Sequence, residues 1–201
     1  MRQLFTSFSL LFFSSLFFYN LAWSESSSEY VENIHKDIVL VVKAKQGIYR
    51  ENPEEFMNAI SLALQPLVDF NRISRNVMGK YYKDATQEQR EEFEDVFKTS
   101  LLKTYSKTLA EFKDEEIIIL PETKKSSKGN REKVFLQIIT STKVYPATYD
   151  MYKNDKKEWK LINIVINGVN LGLTFRNQFY SLMEKEGNDF DLVIKKWITS
   201  I

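Results

Sequence analysis

From Glu29 to Lys45 the apolar residues Val31, Ile34, Ile38, Val41 and Val42 fall three or four positions apart, which predicts an amphipathic helix ended by Gly47. Asn52-Pro53-Glu54-Glu55 is a helix start: the Asn caps, the Pro suits the first turn, and the acids favour the positive end of the dipole. Phe56, Ile60, Ala63 and Leu64 form its buried stripe, and Pro66 kinks or ends it. A further helix begins at Asp69 and carries Phe70, Ile73 and Val77 to Gly79. Thr86-Gln87-Glu88-Gln89 is a capping box opening the strongest helix, whose Phe93, Phe97, Leu101, Tyr105, Leu109 and Phe112 are expected on one stripe.

The period then changes. Runs rich in β-branched and aromatic residues at Glu116 to Leu120, Lys133 to Thr140, Val144 to Tyr152 and Trp159 to Ile166 predict four strands. Turns at Lys128-Gly129-Asn130 and Lys153-Asn154-Asp155 make them an antiparallel meander. Helical spacing returns with Phe175, Phe179 and Leu182, and a short last helix holds Phe190, Val193, Ile194 and Trp197. Helices, a meander and helices again give an α+β class: a four-stranded antiparallel sheet packed with several helices. In the last strand Trp159, Leu161 and Val165 alternate with Ile162, Ile164 and Ile166, so both faces read as apolar. Val134, Leu136 and Ile138 against Phe135 and Ile139 repeat the pattern. An antiparallel sheet with one wet face alternates more cleanly, so either helices cover both faces or one face lines an apolar cavity.

The N-terminus has a different pattern. Met1-Arg2, an apolar run from Leu4 to Leu21 and Ala22-Trp23-Ser24 have the three parts of a cleavable export signal, with cleavage expected before Glu25. Ser14, Ser15 and Asn20 interrupt the run, leaving it short of the roughly 20 apolar residues of a membrane anchor. Residues 25–201, roughly 180 positions, suit one domain with a sizeable core. The chain has no cysteine, which excludes disulfides and a lipid-modified mature N-terminus. Its 28 basic side chains, Arg2 among them, balance 27 acidic ones, so no basic excess points to nucleic acid.

Candidate chemistry is sparse. His35 is the one imidazole, set beside the first helix's apolar stripe as a surface or partly packed residue, and there is no thiol. No nucleophile elbow, zinc helix motif or phosphate loop occurs. Asp69 and Asp150 stand near apolar runs, where burial can raise a carboxyl pKa, but capping or charged roles are the default. Gly168-x-x-x-Gly172 sits at a strand-to-helix junction, where glycine permits an unusual turn. Lys124-Lys125-Ser126-Ser127-Lys128-Gly129-Asn130-Arg131 reads as a solvated hairpin loop, with contact to anionic head groups or a partner as the sharper alternative. Arg176, amid Phe175 and Phe179, needs an anionic partner if buried: Asp69 in a structural ion pair, or a lipid phosphate.

Several stretches together resemble a known family. They are Leu67-Val68-Asp69-Phe70, Met78-Gly79-Lys80-Tyr81-Tyr82, Ala85-Thr86 to Gln89 with Phe93, Phe97, Leu101 and Tyr105, Trp159-Lys160-Leu161-Ile162-Asn163, Gly168-Val169-Asn170-Leu171 and Phe175-Arg176-Asn177-Gln178-Phe179. In order and spacing they resemble the MlaC, or toluene-tolerance, family of soluble periplasmic phospholipid carriers, from about Val31 to Trp197. Tyr82, Asn163 and Asn170 depart from that family's more usual Trp, Asp and Ser and leave the apolar framework intact.

The resemblance implies an NTF2-like α+β cone that encloses acyl chains and needs no catalytic group or cofactor, phospholipid being cargo. It implies a monomer that exchanges lipid with an outer-membrane lipoprotein complex and with an inner-membrane ABC transporter through its substrate-binding membrane subunit. Weak head-group selectivity is expected. The expected lining is Val68, Phe70, Ile73, Val77, Phe97, Leu101 and Tyr105 from the helices, with Tyr149, Leu161, Ile164, Val169 and Phe175 from the strands onward, all buried. Rival readings are a cavity enzyme using Asp150 or Asp69 as base and a periplasmic protein-binding adaptor.

Overall fold

The computed structural model describes residues 25–111 and 115–198, so the expected export signal and Phe112 lie outside the described residues. Helix α1 (Ser27–Lys45) starts two residues before the predicted Glu29, because Ser26 and Glu29 form a reciprocal capping box. Gly47 does not stop the chain turning, since a 3-10 turn continues over Gln46–Ile48. Helix α2 (Pro53–Leu64) starts at the expected Asn52 cap and ends before Pro66. Helix α3 (Phe70–Met78) is capped by Asp69 and ends at Gly79, whose φ of 53° suits glycine. Helix α4 (Gln87–Ala110) opens on the predicted Thr86–Gln89 box.

The stripe along α4 winds. A step of four residues overshoots one helical turn by about 40°, so repeated steps from Phe93 carry the row around the helix. Phe93 and Phe97 are fully buried in a helical core, while Tyr105, expected to be buried, is 44 % exposed. Leu109 packs instead with Phe56 and Ile60 of α2 and Val42 of α1. The single stripe is thus two: α4 ties two separate clusters together.

The strands β1 (Glu116–Lys125), β2 (Arg131–Ile139), β3 (Val144–Lys153), β4 (Trp159–Ile166) and β5 (Val169–Asn170) form an antiparallel meander in that order. The expected count of four is corrected to five. β5 has two residues and folds back on β4 through Asn167 and Gly168, at φ 49° and 82°; it is too short for a period to reveal it. β1 runs past Pro121, and a register shift between Ile119 and Thr123 accommodates a residue with no N–H to donate.

A bulge resolves the doubly apolar pattern of β4. Tyr149 pairs with Ile164 and Asp150 with Asn163, but Met151 pairs with Leu161, so Ile162 is the extra residue. A one-residue slip flips the facing of everything beyond it. Leu161 and Ile164, predicted on opposite faces, therefore join one cluster with Val134, Met151 and Trp159, under Val31 of α1. Lys133, Asp150 and Asn163 share a register row, linked by a Lys133–Asp150 ion pair and an Asn163–Asp150 hydrogen bond.

Helices α5 (Leu171–Lys185) and α6 (Phe190–Trp197) complete the helical core. Phe93 meets Phe179 and Trp197 edge-on at ring-centroid distances of 4.8 and 5.2 Å, and Phe97 meets Phe175 at 5.5 Å. The Trp197 indole N–H donates to Ser100 Oγ at 3.2 Å, which satisfies a polar atom inside this core.

Candidate functional site

The cluster between α1 and the sheet is open-sided. Its centre, Val31, Leu67, Val134, Met151, Trp159 and Leu161, is buried. Around it Ile34, Ile38, Val68, Ile119, Tyr149 and Ile164 are only half-buried. Val68 is placed by a parallel bridge to Leu161, in which Leu161 N–H donates to the Leu67 carbonyl at 2.7 Å and Asp69 N–H to the Leu161 carbonyl at 3.2 Å.

Within this fringe His35 of α1 and Tyr149 of β3 share a hydrogen bond of 3.1 Å between Nε2 and the hydroxyl. Burial pushes the Tyr149 phenol up and the imidazole down, to about 4, so both groups are neutral at pH 7. Desolvated polar atoms beside accessible apolar side chains describe the wall of an interior space better than an outer surface.

A cleft of about 530 Å³ lies between α3, the start of α5 and the sheet. Its apolar residues include Ile73, from the margin of the helical core, and Met151, from the sheet cluster, with Ile162 and Leu173 beside them. Around them stand Lys124, Lys125, Arg131, Lys133 and Arg176, with the carboxylates Glu132 and Asp150. Asp150 pairs with Lys133 and accepts from Asn163 Nδ2 at 2.9 Å, and Asn163 Oδ1 accepts from the Gly172 N–H at 2.9 Å. A Cβ on Gly172 would lie 2.5 Å from that oxygen, so glycine is needed here for close approach. Gly168 alone of the pair supplies the turn expected of both.

The predicted lining residues divide between regions. Val68, Tyr149, Leu161 and Ile164 come together in the sheet cluster. Val77, Phe97 and Phe175 are buried in the helical core, with Ile73 and Leu101 against it. Phe70 is half-buried with Lys98 Nζ 5.6 Å from its ring centroid. Val169, expected to be buried like Tyr105, is 53 % exposed because it belongs to the terminal two-residue strand.

Asp69 and Arg176 are not joined. Asp69 Oδ1 caps α3 by accepting from the Arg72 N–H at 2.8 Å, and Oδ2 accepts from the Tyr152 hydroxyl. Burial and this carboxylate push the Tyr152 phenol up, which keeps it a donor. Arg176 Nε instead donates to the Asn76 carbonyl at 2.7 Å. Of the basic stretch read as a hairpin loop, Ser126 to Asn130 form the loop, while Lys124 and Lys125 belong to β1 and Arg131 to β2. Among the described residues no three His, Cys, Asp or Glu side chains are arranged to hold a metal ion, and no helix is long and apolar enough to cross a membrane.

Comparison with known proteins places this architecture. The family model described as MlaC protein matches residues 32–199. The toluene tolerance protein Ttg2D of Pseudomonas putida is 34% identical over 176 residues, covering 87% of this chain and 80% of that protein. The intermembrane phospholipid transport system binding protein MlaC of Haemophilus influenzae is 26% identical over 151 residues, covering 74% and 70% of the two chains. Among solved structures, a phospholipid-binding protein from Ralstonia solanacearum, in complex with a phospholipid, has a TM-score of 0.78 at 22% identity, covering 87% of this chain and 96% of that one. The family model takes in the whole sheet and the helices α2 to α6, and the chain belongs to the MlaC family.

Proposed function

We propose that this chain is a periplasmic phospholipid carrier, the soluble component of an ABC-transporter-linked system that moves lipid between the outer and inner membranes. The observation that carries the reading is the half-buried apolar wall of Val68, Tyr149, Ile164, Ile34 and Ile38, in a chain whose family match runs over residues 32–199. The relatives are named for phospholipid transport and toluene tolerance, and the structural neighbour for phospholipid binding.

The energetics fit. Exposing acyl chains to water costs about 0.8 kcal/mol per methylene, on the order of 20 kcal/mol for two long chains. A carrier must cover nearly all of that surface, and neutral apolar walls suffice for it. Bilayer and cavity are then close in free energy, so direction comes from the docking partners, which open the cavity by favouring one arrangement of helices against the sheet. Those partners are an outer-membrane lipoprotein complex and the membrane subunit of the transporter. Residues 1–24 serve export, and residues 25–201 act as one cone-like lipid-binding domain working as a monomer, with Asp69 and Asp150 in structural rather than catalytic roles.

The test is mass spectrometry of an organic extract of the protein purified after export to a periplasm. Stoichiometric phospholipid is expected. A lipid-free extract, together with no uptake from offered vesicles, overturns the reading.

A further inference from the structure

We propose that the cleft between α3, the start of α5 and the sheet is a docking site for an acidic, extended segment of a partner protein. This rests on the carrier reading, in which partners set the direction of transfer, and it names the surface and the chemistry by which one of them docks.

The strand register places the cleft. Lys124, Lys133, Asp150 and Asn163 form one row across β1 to β4. Asn163 Oδ1 accepts from the Gly172 N–H, so this row faces α5. Tyr149 and Ile164, each one position away along its strand, face α1 instead. The cleft and the apolar wall thus lie on opposite faces of the same strands, and a segment in the cleft leaves the wall clear. Docking on Asp150 and Asn163 nonetheless bears on β3 and β4, the strands that carry the wall.

Charge names the occupant. The chain's formal net charge is only +1, yet five cations and two carboxylates line this one cleft. Lys133 is paired with Asp150, and Lys125 lies 4.0 Å from Glu132. Beside the cleft Arg72 is stacked 3.9 Å from the centre of the Tyr152 ring, whose hydroxyl donates to Asp69, so that cation too has a carboxylate close by. Among the described residues Lys124, Arg131 and Arg176 make no ion pair, and the excess positive charge resides on them. Arg176 spends Nε on the Asn76 carbonyl, which fixes the guanidinium while its terminal amino groups remain as donors matched to a carboxylate. The start of α5 is not the binding element, because its Gly172 N–H is taken by Asn163 Oδ1 and its Leu173 N–H by Asn170 Oδ1 at 3.0 Å.

Spacing separates a protein segment from other anions. From Lys124 on β1 to Asn163 on β4 is three strand spacings, about 14 Å, and α5 with Arg176 stands at the far end. A single small anion reaches only one end of such a row. In an extended chain the side chains on one face recur about every 7 Å, so three carboxylates at alternate positions span it. Leu173, 50 % exposed at the cleft, gives the segment an apolar contact. A bilayer surface is flat and meets the exposed Lys124 and Arg131 while missing the half-buried Arg176. Opposite charge arranged along one line favours a partner of that charge and fixes its register.

The experiment measures, by fluorescence anisotropy at low ionic strength, the binding of a peptide of alternating glutamate and serine to the purified exported protein. Wild type is expected to bind it, more weakly as salt is added, and to ignore a peptide of alternating lysine and serine. The exposed double variant Lys124→Ser/Arg131→Ser is expected to weaken binding about threefold per cation removed. Arg176→Gln is expected to act in the same direction, and Lys43→Ser/Lys185→Ser, neither lining the cleft, to leave binding alone. Absence of peptide binding by wild type, or an unaltered affinity in the exposed double variant, overturns the proposal. Displacement of the peptide by an equal concentration of inorganic phosphate assigns the cleft to a small anion and overturns it as well. So does capture of wild type by phosphatidylglycerol vesicles that the double variant escapes, which assigns the cations to a membrane surface. Saturating peptide is expected to leave phospholipid uptake from vesicles unchanged, because the wall faces the other way. Blocked uptake puts cargo in the cleft and overturns the docking assignment while leaving the carrier reading intact. No uptake by any form, with or without peptide, overturns the carrier reading and this assignment with it.

Discussion

The helical core and the sheet cluster are built from similar side chains and finished differently. In the helical core Phe93, Phe97, Phe179 and Trp197 are fully buried, and their rings meet edge to face with the one indole N–H satisfied. In the sheet cluster a buried centre is surrounded by apolar side chains that neighbours cover only in part, and a neutral His35–Tyr149 pair sits among them. The first arrangement holds a fold. The second leaves apolar wall that its neighbours cover only in part.

The largest effect that sharpens this comparison is expected at Phe179. Phe179→Ala opens a cavity among close-packed rings that cannot collapse together, so it is expected to cost about 3–5 kcal/mol in urea unfolding. The cost should be the same with and without bound lipid. A loss that lipid repairs would show that the helical core also borders the cargo.

Next in size is a pH effect confined to the sheet cluster. Burial holds the His35 pKa near 4, against an ordinary value of 6.5. Between those values the unfolded chain binds a proton that the native imidazole refuses, so stability falls as pH is lowered through this window and levels off below it. The effect is worth about 2–3 kcal/mol. His35→Gln is expected to remove that part of the pH dependence, as read by urea midpoints at pH 7 and pH 4. An unchanged profile would place the imidazole in contact with water.

Much of the helical region was legible because caps and periods are local. Asn52-Pro53, Asp69, Gly79 and the Thr86–Gln89 box lie where their residue types demand. The sheet cluster was less legible. The bulge at Ile162 reverses the alternation midway along β4, so a strict period of two puts Leu161 and Ile164 on opposite faces when they share one. The 40° overshoot of every fourth residue likewise turned Tyr105 outward. His35 and Tyr149 are 114 positions apart, and the cleft gathers residues from α3, all five strands and α5, so only tertiary structure brings them together. What the sequence did carry was the class of side chain: a surplus of apolar positions in the strands, and cations near Arg131 and at Arg176.

The smallest expected effect is the most discriminating. Ile164 is half-buried and faces Tyr149, so Ile164→Ala removes methylenes that are only partly shielded from water. In lipid-free protein that should cost about 1 kcal/mol, well below the cost of truncating Phe179. Loading with phospholipid raises the unfolding midpoint of any form that binds it, because ligand bound to the native state alone stabilises that state. The wild-type midpoint is expected to rise further than that of Ile164→Ala, since the truncated wall leaves part of an acyl chain uncovered. If Ile164→Ala instead costs as much as Phe179→Ala before any lipid is added, the sheet cluster is a closed core like the helical one, and the cargo must lie elsewhere.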